Sequence, residues 1–260
     1  MNALLWLQTA AEYQGNSQGV FANAAQQLQL LKSSSQLTGD LNQANKFGCA
    51  AGLPCQALAD AALIPAVVLD VDETVLDNSP YQARLIVRKL NFDPATWDEW
   101  LNERAARAVP GSVAFINAAK FEGIAVIYIT NRQCSARANA DDTCPQKADT
   151  IANLANAGFP ALSDNDLLIL RGERPEWNVS EKRSRREYVA SQYRIMMLMG
   201  DDLGDLASDV KQQSIAERAE FVSANASLYG THWFQLTNPT YGSWTRAFGG
   251  ITKPTFLRVD

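Results

Sequence analysis

At 260 residues, 47% apolar and 20% charged, the chain can bury a full core plus a smaller second module, with an ordinary globular composition. A formal net charge of -5 argues against a nucleic-acid coat protein, and the one dense basic cluster, Lys182-Arg183-Ser184-Arg185-Arg186, is too short for a nucleic-acid groove. No run approaches the roughly 18 apolar residues of a membrane span, and residues 3–7 lack the basic flank and length of a signal peptide, so the sequence reads as a chain whose leader has been removed.

Residues 1–35 carry Leu4, Leu7 and Ala11, then Val20, Ala24, Leu28 and Leu31, at three- and four-residue steps, which predicts helix ending at Ser33-Ser34-Ser35. Residues 36–64 are polar, punctuated by Gly and Pro, and contain Cys49 and Cys55. Ala66-Val67-Val68-Leu69 then runs directly into Asp70 and Asp72. So short, branched and unbroken a stretch predicts a strand buried on both faces. Ser79-Pro80 opens a further helix, with Ser79 expected as N-cap and Pro80 at the first helical position. The segment to about residue 107 carries Tyr81, Leu85, Trp97, Trp100 and Leu101 and is too long for a simple crossover. It reads as an inserted helical cap.

Three more apolar runs predict strands: 124–129 ending at Thr130-Asn131-Arg132, 166–170, and 195–199 ending at Gly200-Asp201-Asp202-Leu203-Gly204-Asp205. Helices are expected over 112–121, 146–157, 180–190 and 214–226, with a short strand over 233–236 and an aromatic, Gly-rich tail behind it. The alternation predicts an α/β fold, a Rossmann-like and mostly parallel sheet flanked by helices. The expected division is an N-terminal helical region (1–64), a catalytic core (65–78 and 109–236), the cap (79–108) and a tail contributing to the substrate pocket (237–260). Two local cysteine pairs, Cys49 with Cys55 and Cys134 with Cys144, suggest two disulfides and an oxidising compartment. Four reduced thiols remain the alternative, and neither pair has the close spacing of a zinc site.

Three predicted strands end in polar clusters, and parallel strands share one edge for their C-terminal ends, where open α/β sheets bind ligands. Asp70 and Asp72 would point to opposite sides of a continuing strand, but a turn at Asp70 brings both to one site. The plain alternative is that Asp72, Glu73 and Thr74 cap the next helix. Carboxylates, a hydroxyl-amide pair and a lysine on one edge suit phosphoryl transfer. There a hard cation neutralises the phosphate and an aspartate serves as nucleophile. Thr130-Asn131 as an Asx-type turn, Lys182 as a solvated helix residue, Trp97 and Trp100 as core, and His232 as a structural residue are the competing plain readings. The chain has no Walker-type loop or G-x-G-x-x-G.

Asp70-Val71-Asp72-Glu73-Thr74, Thr130-Asn131-Arg132, Lys182 and Gly200-Asp201 with Asp205 resemble the four ordered motifs of the haloacid dehalogenase superfamily. Further matches at residues 5–13, 76–81 and 96–100 make nearly the whole chain similar to the class C, lipoprotein-type bacterial acid phosphatases and 5′-nucleotidases. The resemblance implies a Mg²⁺-dependent phosphomonoesterase with Asp70 as nucleophile and Asp72 as general acid, then base. It implies Thr130, Asn131 and Lys182 on the phosphoryl group, and Asp77, Trp97 and Tyr241 around the leaving group. One Mg²⁺ would be held by Asp70, Asp201 and the Asp72 carbonyl, with Asp205 in support. Family members often carry Asn where Asp202 stands and Asp where Gly204 stands, which leaves the division of labour among Asp201, Asp202 and Asp205 open. Nucleotides are the implied partners, with a periplasmic or outer-membrane location, a lipid anchor on a precursor and a homodimer left open. A phosphotransferase of the same fold and a non-catalytic surface binder are the alternatives.

Overall fold

The computed structural model describes residues 1–138 and 141–248. In chain order its strands are β1 (Ile64–Leu69), β2 (Leu76–Asp77), β3 (Arg107–Ala108), β4 (Ala125–Gln133), β5 (Leu167–Arg171), β6 (Tyr193–Gly200) and β7 (Trp233–Gln235). Five of them make one parallel sheet in the order β5-β4-β1-β6-β7, and β2 pairs with β3 in a small antiparallel ribbon. Helices α1 (Asn2–Thr9), α2 (Ala11–Ser33), α3 (Leu41–Lys46) and α4 (Gln56–Asp60) precede the sheet. Helices α5 (Ser79–Arg88), α6 (Pro94–Glu103), α7 (Ser112–Phe121), α8 (Pro145–Asn156), α9 (Arg183–Ala190), α10 (Leu203–Leu206) and α11 (Ile215–Ala224) follow β2.

The unbroken apolar runs follow from a sheet covered on both faces. Val67, Leu69, Val126 and Tyr128 enter one core with Phe21, Tyr81, Trp100 and Phe115, from α2, α5, α6 and α7. Their strand neighbours Ala66, Val68, Ile127 and Ile129 enter the other, with Val189, Leu203 and Leu206 from α9 and α10. The central residues of β1 and β4 therefore meet protein on whichever side they point, and β6 is buried along its whole length. The expected α/β fold with a parallel, helix-flanked sheet is what the chain forms.

Some local expectations need correction. The N-terminal helix is two helices, because Ala10 is extended (ψ 128°) between α1 and α2. Helix α5 begins at Ser79 itself with Asn78 as N-cap, since the Asp77 carboxylate already accepts the Ser79 N–H (2.8 Å). Helix α9 begins at Arg183, three residues later than expected, which leaves Lys182 at its N-cap, buried rather than solvated. Both cysteine pairs are bonded as disulfides, Cys49–Cys55 and Cys134–Cys144. His232 is structural: buried, it donates from Nδ1 to the Met196 carbonyl at 2.8 Å. Of the expected tail, residues 249–260 lie outside the described residues.

Arg194 on β6 ties the N-terminal helices to the sheet. Its guanidinium donates to the carbonyls of Leu31, Lys32, Ser34 and Leu37 at 2.8–3.2 Å, closing the carbonyl end of α2. Burial pulls its pKa down to about 10, which still leaves it charged at neutral pH. Arg194→Met keeps the apolar stem but takes the donor from the Lys32 and Leu37 carbonyls, while those of Leu31 and Ser34 keep the Ser34 and Leu37 N–H groups; each lost partner costs roughly 1–3 kcal/mol. A thermal melt should show Tm lowered by about 5–10 °C, at the usual scaling for a chain of this size. A shift within about 1 °C would mean that water replaces the guanidinium without cost.

Candidate active site

Strand β1 stops at Leu69, and the Asp70 N–H still bonds across to the Met199 carbonyl (2.9 Å). The chain then folds back on itself. The N–H groups of Val75 and Leu76 both reach the Val71 carbonyl at 2.9 Å, and Glu73 takes a left-handed conformation (φ 58°). That turn allows Asp70 and Asp72, two apart, to face one cavity of about 460 Å³ at the C-terminal edge of the sheet. Asp201, Asp202 and Asp205, after β6, line the same cavity, as do Asn131 and Arg132 at the end of β4.

Carboxylates dominate the floor. Oxygens of Asp70, Asp201 and Asp205 lie within 4.8 Å of one another. Lys182, buried beneath them, pairs with Asp70 and with Asp205 (2.7 Å). Burial works against the Lys182 charge, but Asp205 and Asp70 outweigh it and raise its pKa. Burial pushes Asp70 up to about 7, against the pull of Lys182 and with the repulsion of Asp205 and Asp72. Asp201 is also raised well above the usual range, first by burial and then by Asp205 and Asp70. Its hydrogen-bond partners are the neutral Thr74 hydroxyl (3.2 Å) and Asn238 amide (2.8 Å). Asp202 does different work: burial raises it, but the backbone and hydroxyl of Ser243 hold it below the usual range. It also caps α10 through Gly204, while Asp205 returns the bond to the Asp202 N–H. Three crowded carboxylates, only two of them paired with the lysine, fit a hard divalent cation with oxygen ligands, which would let Asp201 ionise.

The expected residues divide into two sets. Asp70, Asp72, Asn131, Trp97, Tyr241, Asp201 and Asp205 line the cavity. Lys182 sits beneath it, and Thr130 is buried, with its hydroxyl 3.4 Å from Asp72. Asp77 does not line the cavity; its carboxylate is spent on the start of α5. Asp205, expected in support, joins Asp70 and Asp201 in the close carboxylate cluster, and the Asp72 side chain, expected as acid and base, stands outside it. Asp72 is held by Arg132, Asn78 and Thr130 instead. Sequence reasoning gave no role in the site to Arg132, Glu73, Arg185 or Phe92. Glu73 accepts the Asn78 N–H (3.0 Å) and the Tyr241 hydroxyl, while Arg185 donates to the Thr130 carbonyl (2.6 Å) and the Asn131 side chain (2.7 Å). The only sequence signal for Arg132 was its place directly behind Thr130-Asn131.

Residues 8–244 match the family described as HAD superfamily, subfamily IIIB (Acid phosphatase), and the chain belongs to that family. The crystal structure of the class C acid phosphatase from Bacillus anthracis with tungstate bound is similar over 100% of this chain and 90% of that one. Its TM-score is 0.73 at 28% identity. Acid phosphatase 1 of Solanum lycopersicum is 31% identical over 142 residues, 54% of this chain and 51% of that protein. Stem 31 kDa glycoprotein of Glycine max is 28% identical over 153 residues, 56% of this chain and 54% of that protein. The chain thus spans about half the length of the curated relatives it matches.

The raised pKa of Asp70 sets the sign of a pH effect on the ion-free protein. The folded value of about 7 lies above the unfolded value near 4. The group's contribution to stability is therefore full below about pH 4 and is lost as the pH climbs through about 7. Chelated protein should melt at a lower temperature at pH 7.5 than at pH 5, and Mg²⁺ should recover the difference at pH 7.5. Asp201→Asn should remove most of that Mg²⁺ response. An identical melting temperature at both pH values, with no response to Mg²⁺, would contradict the crowding argument.

Proposed function

We propose that the protein is a Mg²⁺-dependent acid phosphatase acting on phosphomonoesters, nucleoside 5′-monophosphates and aryl phosphates among them, through an aspartyl-phosphate. The observation that carries this reading is the pair Asp70 and Asp72 on one cavity wall with Lys182 against Asp70. A binder has no need of a nucleophile and an acid side by side. Family membership and the likeness to a phosphatase that binds tungstate, a tetrahedral oxyanion, support it.

In the first step an Asp70 oxygen forms a bond to phosphorus while the ester P–O bond breaks. Asp72 passes a proton to the leaving oxygen as its electron pair departs. In the second step Asp72 takes a proton from water, whose oxygen attacks phosphorus. Phosphate leaves and Asp70 regains its carboxylate. Lys182, the Thr130 hydroxyl and the Asn131 amide are assigned to the phosphoryl oxygens. Asp70, Asp201, the Asp72 carbonyl and Asp205 are the residues that would hold Mg²⁺. Once bound, the ion offsets phosphoryl charge that would otherwise repel the Asp70 nucleophile. Trp97, Phe92 and Tyr241 offer aromatic surface on the cavity wall for a flat leaving group. The two disulfides support an oxidising, extracytoplasmic location, for which the bacterial periplasm or cell surface is our reading.

The test is phosphate release from an aryl phosphate at mildly acidic pH. Activity should vanish on complete metal removal and return with Mg²⁺. Asp70→Asn should lose about 10³-fold or more in kcat with the fold intact, as other covalent nucleophiles do. Turnover near that of the parent protein in Asp70→Asn would overturn the covalent mechanism. For substrate choice, Trp97→Ala should cost nucleoside 5′-monophosphates about 10-fold or more in kcat/KM, the order expected for one stacked base. A small aliphatic phosphate should be nearly unaffected. Equal losses on both substrates would mean that Trp97 only packs against Tyr81.

A further inference from the structure

We infer that Arg132 is the positioning residue for Asp72, aiming its carboxyl at the leaving-group oxygen. The inference rests on the phosphomonoesterase reading above and adds a residue which that mechanism did not use. Arg132 is the residue after Asn131 on β4, and its side chain is buried completely. Its Nε and Nη2 both donate to Asp72, at 3.0 and 2.7 Å on Oδ1 and 3.3 Å on Oδ2. A planar fork grips a carboxylate in one orientation, which a lysine or a single hydrogen bond cannot do.

The grip is itself anchored. Nη1 of Arg132 donates to the Thr150 hydroxyl (3.0 Å), which bonds back to the Gln146 carbonyl within α8 (2.7 Å). Helix α8 starts directly after Cys144, and the Cys134–Cys144 disulfide ties that start to the chain two residues past Arg132. From the opposite side, the Asn78 amide donates to the same Asp72 oxygen (2.9 Å) and accepts the Trp100 indole N–H (2.8 Å). Asp72 is thus held between β4 with α8 on one side and the α5–α6 segment on the other. Its neighbour Asp70 is held by Lys182 alone among the side chains described. A fork this well supported on one of two adjacent carboxylates has no counterpart in the packing of the turn, whose own backbone bonds close without it.

An aiming role predicts a selective effect. A proton donor matters most when the leaving oxygen is strongly basic, as in an alkyl ester. It matters little for nitrophenyl phosphate, whose leaving group departs as a stable anion. Since kcat/KM reports events up to the first irreversible step, it isolates this half of the reaction. Arg132→Lys should lower kcat/KM for a simple alkyl phosphate about 30-fold or more, below the roughly 10²–10⁴-fold of a lost acid because Asp72 itself is kept, and for nitrophenyl phosphate by less than about 3-fold. Thr150→Val, which removes only the anchor, should move the ratio of the two in the same direction by a smaller factor. It also covers the case in which Arg132→Lys fails to fold. An equal loss on both esters in either folded variant, or none on the alkyl ester, would overturn the positioning role and leave Arg132 a structural residue. No hydrolysis of either ester by the parent protein would instead overturn the phosphatase reading itself.

Discussion

Burying like charges side by side raises the free energy of a folded chain unless opposite charge is held among them, and the C-terminal edge of this sheet is built around that problem. Asp70, Asp201 and Asp205 bring three carboxylates to one point, with Asp72 and Glu73 close behind. Lys182 answers part of the repulsion from below, and Arg132 answers Asp72 from the side. Asp201 is left with neutral donors only. Burial first, and the remaining repulsion after it, raises Asp70 and Asp201 above their ordinary range, which a divalent cation or protons would relieve. Stability has been traded for a site poised to take up positive charge, as strained functional sites often are.

The rest of the fold serves to hold that edge. Parallel strands bring the ends of β1, β4 and β6 level, so residues 60 and 130 positions apart in sequence meet without any local motif to connect them. The two apolar cores clamp the sheet from both faces and leave only its edge open. Around the opening, the segment carrying α5 and α6 supplies Phe92 and Trp97, and the stretch after β7 supplies Tyr241 and Ser243. Ser243 also holds Asp202, so one wall of the pocket is fastened to the loop that carries Asp201 and Asp205.

Much of this was legible in the sequence, for physical reasons. A strand buried on both faces has to be apolar throughout, so residues 66–69 and 195–199 announced themselves, and the polar groups that ended them marked the edge. The helix expected from about residue 214 starts there, and the structure adds a capping box between Ser214 and Glu217. What was not legible depended on where a long side chain goes. Arg132 could have pointed to solvent, and nothing local says that it reaches back to Asp72 across 60 residues. Asp77 matched a family motif and yet spends its carboxylate two residues ahead, since a free helix start is the nearer partner. Ser79 has the right chemistry for an N-cap but lies one residue inside the helix. Lys182 reads as a solvated lysine in a basic helix until the fold buries it under two aspartates.

The central claim is that Asp70 attacks phosphorus before water does. The configuration at phosphorus tests it most directly, through hydrolysis in labelled water of a phosphorothioate ester made chiral with oxygen isotopes. Two successive in-line displacements, one by Asp70 and one by water, each invert phosphorus, so the account predicts overall retention. Overall inversion would mean a single attack by water and would contradict it.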